Sequence, residues 1–155
     1  MDLIQSGGDP QVGNLATPVN SSEFSRAFIR NLPAYRQGLS PFRRGLEVGM
    51  AHGYLIYGPF TKLGPLRDSD ISTLAGVMSA VGLIAILTVC LSIYANTGSG
   101  KPIATLTTPN PPEDLGTKEG WNEFASGFFL GGCGGAIFAF LIVTYLPSLL
   151  QAIGV

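Results

Sequence analysis

Two stretches of this chain are apolar throughout and hold no charged residue. The first covers 71–95, and its polar members are small: Ser72, Thr73, Ser79, Thr88 and Ser92. As a helix, these 25 residues rise about 37 Å, enough to cross a hydrocarbon core of about 30 Å with some tilt. Asp68 and Asp70 stand just before it, where negative charge suits a helix N-terminus. The second stretch covers 124–150. Trp121 precedes it and Tyr145 lies near its far end, as aromatic residues at a membrane interface do. Pro147 is expected to bend or end its last turn.

A weaker stretch lies between Arg44 and Lys62, 17 residues reading GLEVGMAHGYLIYGPFT. That length, about 17 residues, is the lower limit for a crossing, and Glu47 and His52 lower its hydropathy further. Two features favour a membrane helix all the same. Charges flank it on both sides, and Gly45, Gly49 and Gly53 recur every four residues on one face. Such a ridge lets another helix approach closely in lipid. Gly127, Gly131 and Gly135 repeat the ridge in the last stretch. A helix lying in the interface is the alternative.

The predicted fold is an all-α integral membrane protein, one membrane domain over 1–155 with three transmembrane helices and an extended N-terminal arm. Its parts are an N-terminal segment (1–44), helix 1 (45–62), helix 2 (71–95), a proline-containing loop (96–120) and helix 3 (121–150). The first 22 residues are polar and contain Gly7, Gly8, Pro10 and Pro18. They lack the basic start and apolar run of a signal peptide and suit a flexible arm. The loop contains Pro102, Pro109, Pro111 and Pro112, which favours an extended polar course and a surface contact.

Composition agrees with the bilayer. Charged residues are 12% of the chain, against about 25% in soluble domains. A net charge of −1 offers no basic field for nucleic acid. The charges are also unevenly placed. With three spans, the N-terminal segment and second loop share a side bearing Arg26, Arg30, Arg36, Arg43, Arg44, Lys101 and Lys118. The other side bears Lys62 and Arg67. The positive-inside rule puts the N-terminus in the cytoplasm or its equivalent and the C-terminus across the membrane. Cys90 and Cys133 lie in apolar runs without a CxxC pair, which suits buried packing residues.

Little in the sequence suggests catalysis. Gly98-Ser99-Gly100-Lys101 resembles the end of a phosphate loop, but Ala95 replaces the first glycine and Pro102 the hydroxyl residue. Glu47 and His52 are the costly residues. Arg43 and Arg44 stand four and three positions before Glu47, so a helical ion pair explains it equally well. His52 is explained by a neutral imidazole bonded to a neighbouring helix, or by axial coordination of a metal-centred macrocycle. Five residues along a helix turn about 140° and rise about 7.5 Å, so the two side chains cannot easily grip one ion. As ligands they serve two cofactors. Asp68 and Asp70 read as capping or solvated charge, or as a surface cation site completed by another chain. A transporter or channel component would need charges lining a path, and only the first span has them. A haem-binding electron carrier ordinarily needs two axial ligands per haem, or one ligand with a designed open side, and a single histidine is weak support for it.

Two segments carry a resemblance: NLPAYRQGLSPFRRGLEVGMAHGYLIYGPFTKLGPLRDSD over 31–70 and EGWNEFASGFFLGGCGGAIFAF over 119–140. Both are similar to subunit XI, the L subunit, of photosystem I. The resemblance implies a non-enzymatic, multi-pass subunit of the thylakoid membrane, with its N-terminus stromal and its C-terminus lumenal. It implies bound chlorophyll a, carotenoid and lipid. It implies contact with the large core subunits, small neighbouring membrane subunits and the same subunit in adjacent complexes. The family's ligands in RGLEVGMAHG, carried over, are Glu47 and His52 for two chlorophyll Mg²⁺ ions. Its calcium-associated aspartate in GPLRDSD suggests Asp68. The loop TTPNPPEDLGTKEGW (107–121) resembles longer loops of some cyanobacterial members, which are associated with differing oligomeric arrangements.

Overall fold

Thr17 and Ser22 start helices in a segment whose polar, glycine-containing composition predicts an extended arm. In the computed structural model, which describes residues 4–6, 13–98 and 100–154, two-residue strands β1 (Gln5–Ser6) and β2 (Leu15–Ala16) pair antiparallel. Helix α1 (Pro18–Ser21) follows, and α2 spans Glu23–Asn31. Gly7, Gly8 and Pro10, on which the flexible arm was predicted, lie outside the described residues, as does Ser99 of the phosphate-loop look-alike. From Thr17 onward the arm is not extended, because its polar residues are cap formers. Thr17 and Asn20 bond reciprocally, at 3.3 and 2.8 Å, and Ser22 accepts from the Ser25 N–H at 3.1 Å. Phe24 and Phe28, one turn apart, stack with centroids 6.3 Å apart.

The chain then turns through 32–39 to Ser40, whose hydroxyl accepts from the Arg43 N–H at 3.3 Å. Pro41 takes the first helical position, where its missing N–H costs nothing. Helix α3 therefore spans Pro41–Leu63, starting four residues before the apolar run. Helix α4 spans Ser72–Ala95. Its N-cap is Ile71 without a side-chain cap bond, so neither Asp68 nor Asp70 caps it. A short 3₁₀ turn, Glu113–Gly116, leads into α5, Lys118–Ala152, capped by Thr117 at 3.0 Å from the Gly120 N–H. Pro147 does not end α5. Its ring is exposed, and the helix continues through it to Ala152. Among the described residues, α4 and α5 are long and apolar enough to cross a membrane.

The two glycine ridges face each other. Gly45, Gly49 and Gly53 lie against the backbone of Phe124, Phe128 and Gly132, while Gly127, Gly131 and Gly135 lie against Phe42, Leu46 and Met50. Numbers rise together on both helices, so α3 and α5 run parallel and their main chains touch over three turns. Helix α4 runs back beside both. Gly76 meets Thr61 near the end of α3, Ile84 packs on Gly132, and Tyr94 meets Trp121 edge-on at 5.0 Å. One core cluster joins Tyr57, Val77, Ala80, Ala136 and Ala139, and another joins Ile84, Phe124 and Phe128. Among the described residues, Ile84 is the one large side chain fully enclosed. Ile84→Val is expected to cost about 1 kcal/mol, checked by thermal denaturation of the purified chain in detergent.

Because α3 and α5 are parallel, their N-terminal ends and the loop after α4 lie at one end of the bundle. Gln37 Nε2 there donates to the Asn110 carbonyl at 2.8 Å. Arg26, Arg30 and Arg36 before α3, Arg43 and Arg44 in its first turn, Lys101 after α4 and Lys118 at the start of α5 are thus gathered at that end. Cys133 is half-buried beside the second cluster, but Cys90 is exposed on α4. The apolar run predicts burial for both, whereas α4 is apolar all round and buries only one flank in this chain.

Candidate functional site

Helix α3 turns its glycines toward α5 and presents its polar residues elsewhere. Glu47 faces the turn before the helix, where its Oε1 accepts from Arg36 Nη2 in an ion pair. Both side chains are about one-third exposed. The partner is neither Arg43 nor Arg44, the pair that helical spacing suggests. Arg44 is 3% exposed, and both of its Nη atoms donate to backbone carbonyls. Its Nη1 donates to Pro33 at 2.9 Å and to Arg36 at 2.7 Å, and its Nη2 donates to Leu39 at 3.1 Å. This one guanidinium therefore folds the 33–39 turn onto α3, and the turn delivers Arg36 to Glu47.

His52 lies one and a half turns further on and is exposed. Its Nδ1 is 2.8 Å from the Val48 carbonyl of the preceding turn. A carbonyl only accepts, so in the neutral ring Nδ1 carries the proton and Nε2 carries the lone pair. The bond is intrahelical; the neighbouring helix contributes the Phe128 ring instead, edge-on at 5.4 Å. A fixed tautomer and ring orientation are what a bound metal asks of an imidazole ligand. Glu47 and His52 have partners on different elements, the 33–39 turn and α5, and are not brought together. Among the described residues no three His, Cys, Asp or Glu side chains cluster as a metal site.

Glu47 and His52 are each a single oxygen or nitrogen donor, of the kind that a Mg²⁺ already held by a macrocycle would accept. Asp68 is different. Its carboxylate is 87% exposed and lies 3.4 Å from Arg67 Nε, so it offers one oxygen donor group to a cation that wants six or more.

The sequence profile of "Photosystem I reaction centre subunit XI" matches residues 2–148. The chain belongs to the photosystem I reaction centre subunit XI family. A subunit XI of Crocosphaera subtropica is 67% identical over 142 residues, covering 92% of this chain and 91% of that protein. One from a Picosynechococcus strain is 66% identical over 149 residues, covering 96% and 98%. One from Trichormus variabilis is 54% identical over 152 residues, covering 98% and 88%. The likeness to subunit XI thus runs through all three long helices and the N-terminal segment.

Two residues that shape the surroundings of Glu47 have roles that the sequence does not disclose. Arg36 is eleven positions before Glu47, in a turn whose path no periodicity describes. Arg44 reads as a flanking charge or as a helical partner of Glu47, but it bonds the main chain of the 33–39 turn instead. Its signal was its position: the buried face of α3 continues Gly53, Gly49, Gly45, and Arg44 is adjacent to that line.

Proposed function

We propose that this chain is a non-catalytic, pigment-binding subunit of photosystem I in the thylakoid membrane, with α3, α4 and α5 all crossing the bilayer. Support for the third crossing is the backbone contact of α3 with α5 along three turns and its length of 23 residues, about 34 Å as a helix. The basic end of the bundle faces the stroma under the positive-inside rule, which leaves the C-terminus lumenal. Large core subunits and small membrane subunits cover part of the exposed apolar flanks of α4 and α5. Carotenoid, lipid and the same subunit of an adjacent complex cover the rest.

The observation that carries the reading is His52. An imidazole on the outer face of a helix, with Nδ1 held by the Val48 carbonyl, would offer Nε2 to a metal. His52 would hold the Mg²⁺ of one chlorophyll a, and Phe128 fixes the ring from the other side. Glu47 would hold a second through Oε2, since Arg36 occupies Oε1. The pigments supply light absorption and excitation transfer; the chain supplies ligands, orientation and a dry, close-packed scaffold. Asp68 would take part in calcium binding only with ligands from an adjacent copy or partner.

Replacing His52 by leucine is the test. The assembled photosystem should retain the subunit and contain one chlorophyll fewer per copy, measured by pigment extraction against a fixed protein amount. Unchanged pigment content and spectra would reject the assignment.

A further inference from the structure

We propose that Arg36 is the positioning residue and counter-cation of the Glu47 ligand, and that Arg44 holds it there. The proposal rests on the reading of Glu47 as a chlorophyll ligand. Mg²⁺ in a chlorophyll is already neutralised by the macrocycle. An imidazole ligand adds no charge, but a carboxylate leaves a net negative charge in apolar surroundings. A charge there is costly unless paired. His52 needs no cation, and among the described residues its contacts are the Val48 carbonyl and the Phe128 ring. Glu47 needs one, and Arg36 provides it through a single N–H···O contact that leaves Oε2 for the metal.

The geometry also explains why an arginine from outside the helix does this. Arg43 and Arg44 are nearer in sequence. Arg44 is committed to three carbonyls, one of them that of Arg36 itself at 2.7 Å. Arg44 therefore fixes the backbone that carries the counter-ion, one helical turn before the residue being neutralised. Two arginines divide the work: one buried and bonded to main chain, the other about one-third exposed and bonded to the carboxylate.

The distinguishing consequence is that the need for Arg36 depends on the charge of the ligand. In photosystem I assembled with variant chains, chlorophyll per subunit is read by extraction, and subunit content by mass spectrometry. Arg36→Gln should lose one chlorophyll, the same one lost in Glu47→Leu, and Arg36→Lys should retain it. With a neutral ligand, in Arg36→Gln/Glu47→His, that chlorophyll should be retained. Full pigment in Arg36→Gln overturns the proposal. So does loss of the pigment in the double variant when Glu47→His alone keeps it, because that marks Arg36 as a fold residue only. Loss in Arg36→Lys to the same extent as in Arg36→Gln overturns it too. Full pigment in Glu47→Leu would instead remove the ligand reading itself, and the two failures are thereby told apart.

Discussion

Gly49→Val is expected to remove this chain from photosystem I altogether. A Cβ on Gly49 would run into the Phe128 carbonyl oxygen and lie 2.8 Å from the Gly132 nitrogen and 2.9 Å from the Phe128 carbonyl carbon. All three obstacles are main chain, so no rotamer change relieves them. The helices must separate, and separation also lifts the flanking ridge residues off their partners, because the contact is continuous from Gly45 to Gly135. The cost should reach at least about 3 kcal/mol, the top of the range for overpacked cores. Immunodetection of the subunit in purified complexes checks it. Gly82→Ala, whose Cβ meets open space within this chain, should leave subunit content unchanged.

Arg44→Ala should be nearly as severe, by a different route. It strips the charged donor from the Pro33, Arg36 and Leu39 carbonyls at once. A hydrogen bond to a charged group contributes about 1.5–3 kcal/mol, and these three are part-buried, so about 3 kcal/mol or more is expected for the set. The loss falls on the 33–39 turn, not on the α3–α5 seam. The helices should therefore still assemble while the N-terminal segment comes loose. Limited trypsin digestion should cut at Arg36 in the variant and leave it intact in the native subunit. Arg44→Lys should give intermediate protection, since an ammonium lacks the planar fork that reaches three carbonyls.

These two residues also show what the sequence could and could not convey. Glycines four apart announce a face along which a helix can be approached closely, and both ridges were visible on that ground. That the ridges meet each other, rather than two outside neighbours, depends on α3 and α5 being parallel and in register. Spacing within either helix says nothing about that. Helical periodicity offered Glu47 the partners Arg43 and Arg44. The actual partner comes from a turn, where backbone course is set by which carbonyls a buried guanidinium can gather. The N-terminal segment misled for a related reason: serine, threonine and asparagine weaken helix interiors but start helices well, so a polar composition hid two capped helices. Asp68 and Asp70 suited a helix start by charge, yet Ile71 takes the cap position. Cys90 was expected inside because its surroundings are apolar, but a helix apolar on every side does not disclose which side a single chain covers.

The parallel seam sets a schedule for biosynthesis. Gly53 and Gly132 touch, but 79 positions separate them. At 5–20 residues per second, a ribosome takes roughly 4–16 s to deliver the second after the first. On the reading that all three helices cross, α3 waits that long in the membrane with Glu47 aboard and its glycine groove unfilled. It is the least apolar of the three and the first to emerge. The insertion machinery must shelter it until α5 arrives, which makes α5 the element that commits the chain to the bilayer.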